Sequence, residues 1–161
     1  MARVSPLLVA LALALAASAV AQPVIIDHTC TDHTQIPESY VTLAKQNLRV
    51  GYGHTSHGSQ LITGIDALKA HYGDGSVWNY PYAYWGLHAG VFMNDYWGNA
   101  WGGSDLGHSG DLAWRDATIA GLAATGNDRN VVIWSWCGGV SDNTEAGINI
   151  YLNAMSALEA A

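Results

Sequence analysis

Charge is scarce in this chain, and positive charge scarcest of all. Asp, Glu, Lys and Arg make up 12% of the 161 residues, and six Lys and Arg face 13 acids. There is no basic stripe or cluster, which argues against a nucleic-acid partner, because phosphate binding needs a Lys/Arg footprint. The two cysteines exclude a disulfide-dense scaffold and a paired C-x-x-C zinc module, and no H-E-x-x-H occurs. Long apolar runs are missing beyond the N-terminus, so no later segment can cross a membrane.

The one apolar run near the start has the layout of a secretory leader. Arg3 supplies the positive end, Leu7 to Leu15 the apolar stretch, and Ala19-Val20-Ala21 a small-x-small cleavage site. Residues 1–21 therefore read as a signal peptide, with a retained N-terminal anchor as the alternative, and the protein is expected to be secreted or periplasmic. Loss of Arg3 with the leader leaves five Lys and Arg against 13 acids, a net charge of −8. An acidic surface of this kind suits a protein acting on neutral substrates. Residues 22–161 are long enough for a single core. Outside the cytosol, Cys30 and Cys137 read most simply as one disulfide; a free, catalytic Cys137 is the sharper alternative.

Apolar periodicity gives the organisation. Val24-Ile25-Ile26 resembles a short edge strand. Helices are expected over 34–47 (Ile36, Tyr40, Leu43 and Ala44 on one face), 56–71 (Leu61, Ile62, Ile65, Leu68) and 144–160 (Ile148, Leu152, Met155, Leu158). A further helix, carrying Trp114, Ile119 and Leu122, starts at an Asp111 cap. Strands are expected at 48–52 and 131–136. Alternation of strand and helix predicts an α/β fold with a mostly parallel sheet covered on both faces. Residues 72–110 interrupt the rhythm with Trp78, Trp85, Trp97, Trp101 and five tyrosines among Gly and Asn. So long an irregular stretch reads either as a binding loop whose rings stack on sugars or as an aromatic minor core with one or two irregular strands beneath a loop.

Four clusters carry candidate chemistry. Gly53-His54-Thr55-Ser56-His57-Gly58 places a serine on a Gly-flanked turn between a strand and a helix, close to the G-x-S-x-G elbow, with His54 in place of the first Gly. Ser56 is the candidate nucleophile, the bland alternative being a helix cap, and Ser59 is a weaker candidate. His54 is a candidate for substrate or oxyanion contact. Asp27-His28-x-Cys30-x-Asp32-His33 has metal-binding residue types, but alternating spacing throws neighbours to opposite faces, and no metal site is assigned. In Ser104 to Asp111, the glycines offer amides for an oxyanion and His108 a base. Trp134-Ser135-Trp136-Cys137-Gly138-Gly139 follows a strand, where α/β folds place ligand contacts.

Together these blocks resemble SGNH-like (GDSL-type) hydrolases. Asp27-His28-Thr29-Cys30, Tyr52 to Ser59 and Trp134 to Gly138 are similar to a poorly characterised secreted bacterial group of that superfamily. The resemblance implies a flavodoxin-like three-layer sandwich and ester hydrolysis by an early serine, here Ser56, with Gly107 assisting the oxyanion hole. The sequence departs from the pattern twice. Cys137-Gly138-Gly139 stands where an oxyanion Asn is usual, and no Asp-x-x-His follows Trp136, so the domain is expected to be incomplete at its C-terminus.

The leading expectation is a secreted serine esterase or deacetylase for carbohydrate or similar neutral esters. Ser56 is the nucleophile, His108 or His88 the base, and Gly107, Gly138, His54, Trp85 and Trp97 contact the substrate or oxyanion. No cofactor is expected, and the partner is a small-molecule or carbohydrate substrate. A non-catalytic glycan-binding module on the same scaffold and a metal-dependent hydrolase are the alternatives.

Overall fold

The computed structural model describes residues 25–139, 141 and 143–160, without the side chain of His108. The leader and Val24 lie outside the described residues. The chain divides into a short unit up to Gln35 and a larger one from Ile36.

In the short unit, Ile25 and Ile26 are exposed and form no strand. Turns organise it instead. Asp27 accepts the backbone N–H and hydroxyl of Thr29 (2.8 and 2.7 Å), and Asp32 does the same for Thr34 (3.0 and 2.6 Å). These donors hold both carboxyls below their usual range.

The larger unit is an α/β fold of the flavodoxin-like three-layer kind, with an all-parallel sheet. Its elements are α1 (Glu38–Asn47), β1 (Val50–Gly53), α2 (Ser59–Tyr72), β2 (Tyr82–Tyr84), β3 (Met93–Asp95), α3 (Ala113–Ala123), β4 (Val131–Trp134) and α4 (Glu145–Glu159). The sheet order is β2-β3-β1-β4, with Tyr52 opposite Asp95 and Gly53 opposite Trp134. β1 is thus flanked by β3 on one side and β4 on the other. The winding reverses there, and ligands of open parallel sheets bind beyond the carboxyl ends of such strands.

Alternation along β1 separates two cores. Val50 and Tyr52 pack with Met93 and with Ile62 and Ile65 of α2. Gly51 and Gly53 face the other way, against the rings of Trp97 and Trp134. On that side Leu106, Trp114 and Ala154 form a second cluster with Trp134, Trp136 and Tyr151. A Cβ on Gly51 or Gly53 would overlap an indole ring, so the glycines of this strand are there to admit tryptophan.

Several helices bury faces other than those expected. α1 buries Val41 and exposes Tyr40 and Leu43, and Ile36 lies exposed before the helix begins. α3 buries Trp114, Ala117, Thr118 and Gly121, with Ile119 and Leu122 outside, because Gly121 must lie flat against Trp97. α4 buries Gly147 and Ala154 and leaves Ile148, Leu152 and Met155 partly exposed. Its N-cap is Thr144, whose hydroxyl accepts the Gly147 N–H at 3.1 Å. The aromatic stretch 72–110 contains β2 and β3, so it is partly sheet, with Trp78 and Trp97 in the core and Trp85 exposed.

Candidate functional site

The carboxyl end of β1 is built to present residues 54–58 above the sheet. His54 follows the strand and is fully buried. Its Nε2–H donates to the buried Asp95 carboxylate at 2.6 Å, and its ring lies between Tyr52 and Tyr96. Asn99 clamps its backbone from both directions, accepting the His54 N–H (3.2 Å) and donating to its carbonyl (2.9 Å). His54 is therefore an internal support, not the surface contact expected for it. Asp95 gave no sequence signal, being one acid on a three-residue strand within an aromatic stretch.

The chain then turns sharply. Ser56 has φ +29°, in the left-handed region that a non-glycine residue occupies only when its surroundings hold it there. It opens a short 3-10 turn, Ser56–Gly58, that runs directly into α2. The Tyr52 hydroxyl donates to the Gly58 carbonyl (2.9 Å), and the Ser59 hydroxyl to the Ser56 carbonyl (2.7 Å). The second bond ties down Ser59, the weaker nucleophile candidate. A Cβ on Gly58 would overlap His54 and Ser135, so this glycine lets the elbow close over the end of β4.

The parallel register brings β4 to the same place. The Ser135 N–H donates to the Gly53 carbonyl (3.2 Å), and the Leu106 N–H to the Ser135 carbonyl (3.1 Å). This draws both the 135–137 segment and the Ser104–Gly107 loop to the elbow. Thr55 Oγ1 lies 3.5 Å from Asp105 Oδ2. Gly107, with φ +27°, is buried on this loop, and its carbonyl accepts from Asn143 Nδ2 at 3.3 Å. Gly138 is exposed beyond Cys137.

Cys30 and Cys137, the expected disulfide pair, are unpaired in the structure. Cys30 belongs to the unit up to Gln35, with its Sγ 4.0 Å from the Ile25 carbonyl. Cys137 is engaged at the elbow, where His57 Nδ1 lies 3.6 Å from its Sγ. Donation from the Thr55 and Ser56 hydroxyls, then from the His57 backbone N–H and ring, lowers its pKa to about 7. A nucleophilic hydroxyl, an imidazole and an easily ionised thiol thus share one strand edge.

The other expected participants lie elsewhere. His88 is bound to the β2–β3 region: its Nε2–H donates to the Trp85 carbonyl (2.9 Å), its N–H to Asn94 Oδ1 (3.1 Å), and its carbonyl accepts from Arg129 (3.3 Å). The backbone of His108 starts a short turn just after Gly107; its side chain lies outside the described residues. Trp97 is wholly buried between β1 and α3, so its ring faces protein and not a ligand, contrary to expectation. Trp85 is about half exposed, and with Tyr84 and Tyr96 it forms an aromatic group at the carboxyl ends of β2 and β3. Trp85 and Tyr96 also have positive φ (+58° and +54°), so their backbone is held in a strained form.

Among the described residues, no three His, Cys, Asp or Glu side chains converge as metal ligands. The carboxylates of Asp27 and Asp32 hold local turns instead. Also among the described residues, no helix is long and apolar enough to cross a membrane. Comparisons with protein-family models, curated proteins and solved structures give no match.

Proposed function

We propose that this protein is a secreted serine hydrolase of the SGNH-like type, acting on acyl esters of carbohydrates or similar neutral compounds. The observation that carries the reading is Ser56 itself: a serine in left-handed backbone, on the turn between the central strand β1 and α2. Strain at a strand-to-helix turn lifts a hydroxyl clear of the sheet and aims it at a bound carbonyl. Ser56 Oγ attacks the acyl carbon, the ester oxygen leaves, and water then releases the acyl group from Ser56. Gly107, on the loop anchored beside the elbow, supplies an oxyanion amide. His108, one residue further on, takes the Ser56 proton and returns it to the leaving alkoxide. The aromatic group of Tyr84, Trp85 and Tyr96 offers flat faces to a sugar ring at the same sheet edge.

The test is covalent labelling with a fluorophosphonate, together with hydrolysis of an aryl acetate. Ser56→Ala is expected to abolish labelling and to lower hydrolysis at least 100-fold; undiminished turnover in this variant would remove the proposal. The exposed aromatic group favours a second reading, a glycan-binding module without turnover. That reading gains if the chain does not label while glycan binding is lost on Trp85→Ala.

A further inference from the structure

Cys137 is not needed as a nucleophile by the hydrolase reading, yet the fold gathers donors around it. Thr55, Ser56 and His57 all come from the turn after β1, and β4 delivers the sulfur to them through the Gly53–Trp134 register. A structural cysteine packed in apolar surroundings would have none of this. Cys137 is partly exposed, and a Cβ built on the next residue, Gly138, would meet open space. A reagent of modest size therefore has room to approach from that side.

We propose that Cys137 is a thiol-exchange site: its Sγ, held beside Ser56 and His57, forms a mixed disulfide with low-molecular-weight disulfides, and the adduct reversibly covers the serine elbow. The Cys137 thiolate attacks one sulfur of R–S–S–R, a new S–S bond forms to Cys137, and the old S–S bond breaks. The leaving R–S⁻ takes up the proton that Cys137 gave up. Cys137 is oxidised, half of the small disulfide is reduced, and a small thiol reverses the step by the same route. A tripeptide-sized adduct on Cys137 stands next to the Ser56 hydroxyl and blocks the approach of an ester. The covering of Ser56 rests on the hydrolase reading; the exchange chemistry does not.

The lowered pKa gives the exchange a pH signature. At pH 6.5 a thiol with a pKa near 7 is about one-quarter ionised, against about 1% for an ordinary cysteine. Its thiolate is intrinsically less nucleophilic, which leaves a net advantage of roughly fivefold in rate.

The experiment uses the whole chain, with Cys30 as the internal reference. Iodoacetamide alkylation, followed by peptide mass mapping across pH, should give a midpoint near 7 at Cys137 and a several-fold faster reaction there than at Cys30 at pH 6.5. Oxidised glutathione should add one glutathione, mapped to Cys137 and released by dithiothreitol. His57→Asn should move the Cys137 midpoint upward. A Cys137 midpoint at the ordinary value of about 8.5, or glutathione shared equally between the two cysteines, overturns the exchange site. Fluorophosphonate labelling of Ser56 should fall at least tenfold in the glutathione adduct and return with dithiothreitol. Unchanged labelling of the adduct overturns the covering of the elbow. If the unmodified chain never labels, the hydrolase reading fails, and the alkylation profile still decides the thiol. The alkylation and glutathione arms need no variant, so a folding defect in His57→Asn does not disturb them.

Discussion

Ser56 and its immediate neighbours pull stability and chemistry in different directions. A side chain in left-handed backbone costs of order 1–2 kcal/mol, more when β-branched. Ser56→Gly is therefore expected to stay within about 0.5 kcal/mol of the parent in urea denaturation, while Ser56→Val loses about 2 kcal/mol; a Ser56→Gly variant as unstable as Ser56→Val would mean that the turn is not strained. The opposite holds one strand away. His54 and Asp95 are buried against each other, and removing one partner strands the other without water. Asp95→Ala should cost about 3 kcal/mol in the same measurement, far more than an exposed ion pair is worth. The histidines flanking Ser56 are thus unlike: His54 anchors the turn from below, and His57 faces the thiol above it.

At the scale of elements, the short strand β1 and the end of β4 decide everything near the site. Gly53 and Gly58 are spacers for Trp134, His54 and Ser135, so an added methyl has to push a ring or the elbow aside. Gly53→Ala is expected to destabilise by about 2 kcal/mol by overpacking and to weaken fluorophosphonate labelling of Ser56, since the displaced Trp134 ends the strand that leads into Ser135 and Cys137. Labelling and stability both at parent level would contradict this packing account. The strand–serine–helix junction was readable from Leu48 to Ser59 because local rules govern it: a short apolar strand, glycine at a tight turn, then an amphipathic helix. The buried helix faces were not readable. α3 turns Ala117 and Gly121 inward because Trp97, distant in sequence, occupies the space that Ile119 and Leu122 were expected to fill.

At the scale of the whole molecule, the larger unit leaves one side of its sheet partly open. Leu48, Leu61, Leu68, Phe92, Val131 and Ile133 line an apolar groove of about 650 Å³ along β4, which is an edge strand of the described sheet. Ile133 already has more than a third of its surface in water. Ile133→Lys should cost less than about 1 kcal/mol and raise solubility, because a charge on an exposed edge opposes strand pairing between molecules. A loss of several kcal/mol would show that the groove carries more of the fold than its exposure indicates.

The sequence by itself determined the α/β class, the order of the main strands and helices, the acidic charge and the serine at the first turn after the central strand. Each follows from composition or from a periodicity within a dozen residues. Tertiary structure alone decided that His54 is buried on Asp95, that Trp97 is core and Trp85 surface, and that Cys137 is a free thiol beside Thr55, Ser56 and His57. These depend on the parallel register of β1 with β3 and β4, which joins residues 43 and 81 positions apart. Nothing in a local pattern encodes that distance, and it is this register that sets a thiol beside the serine elbow.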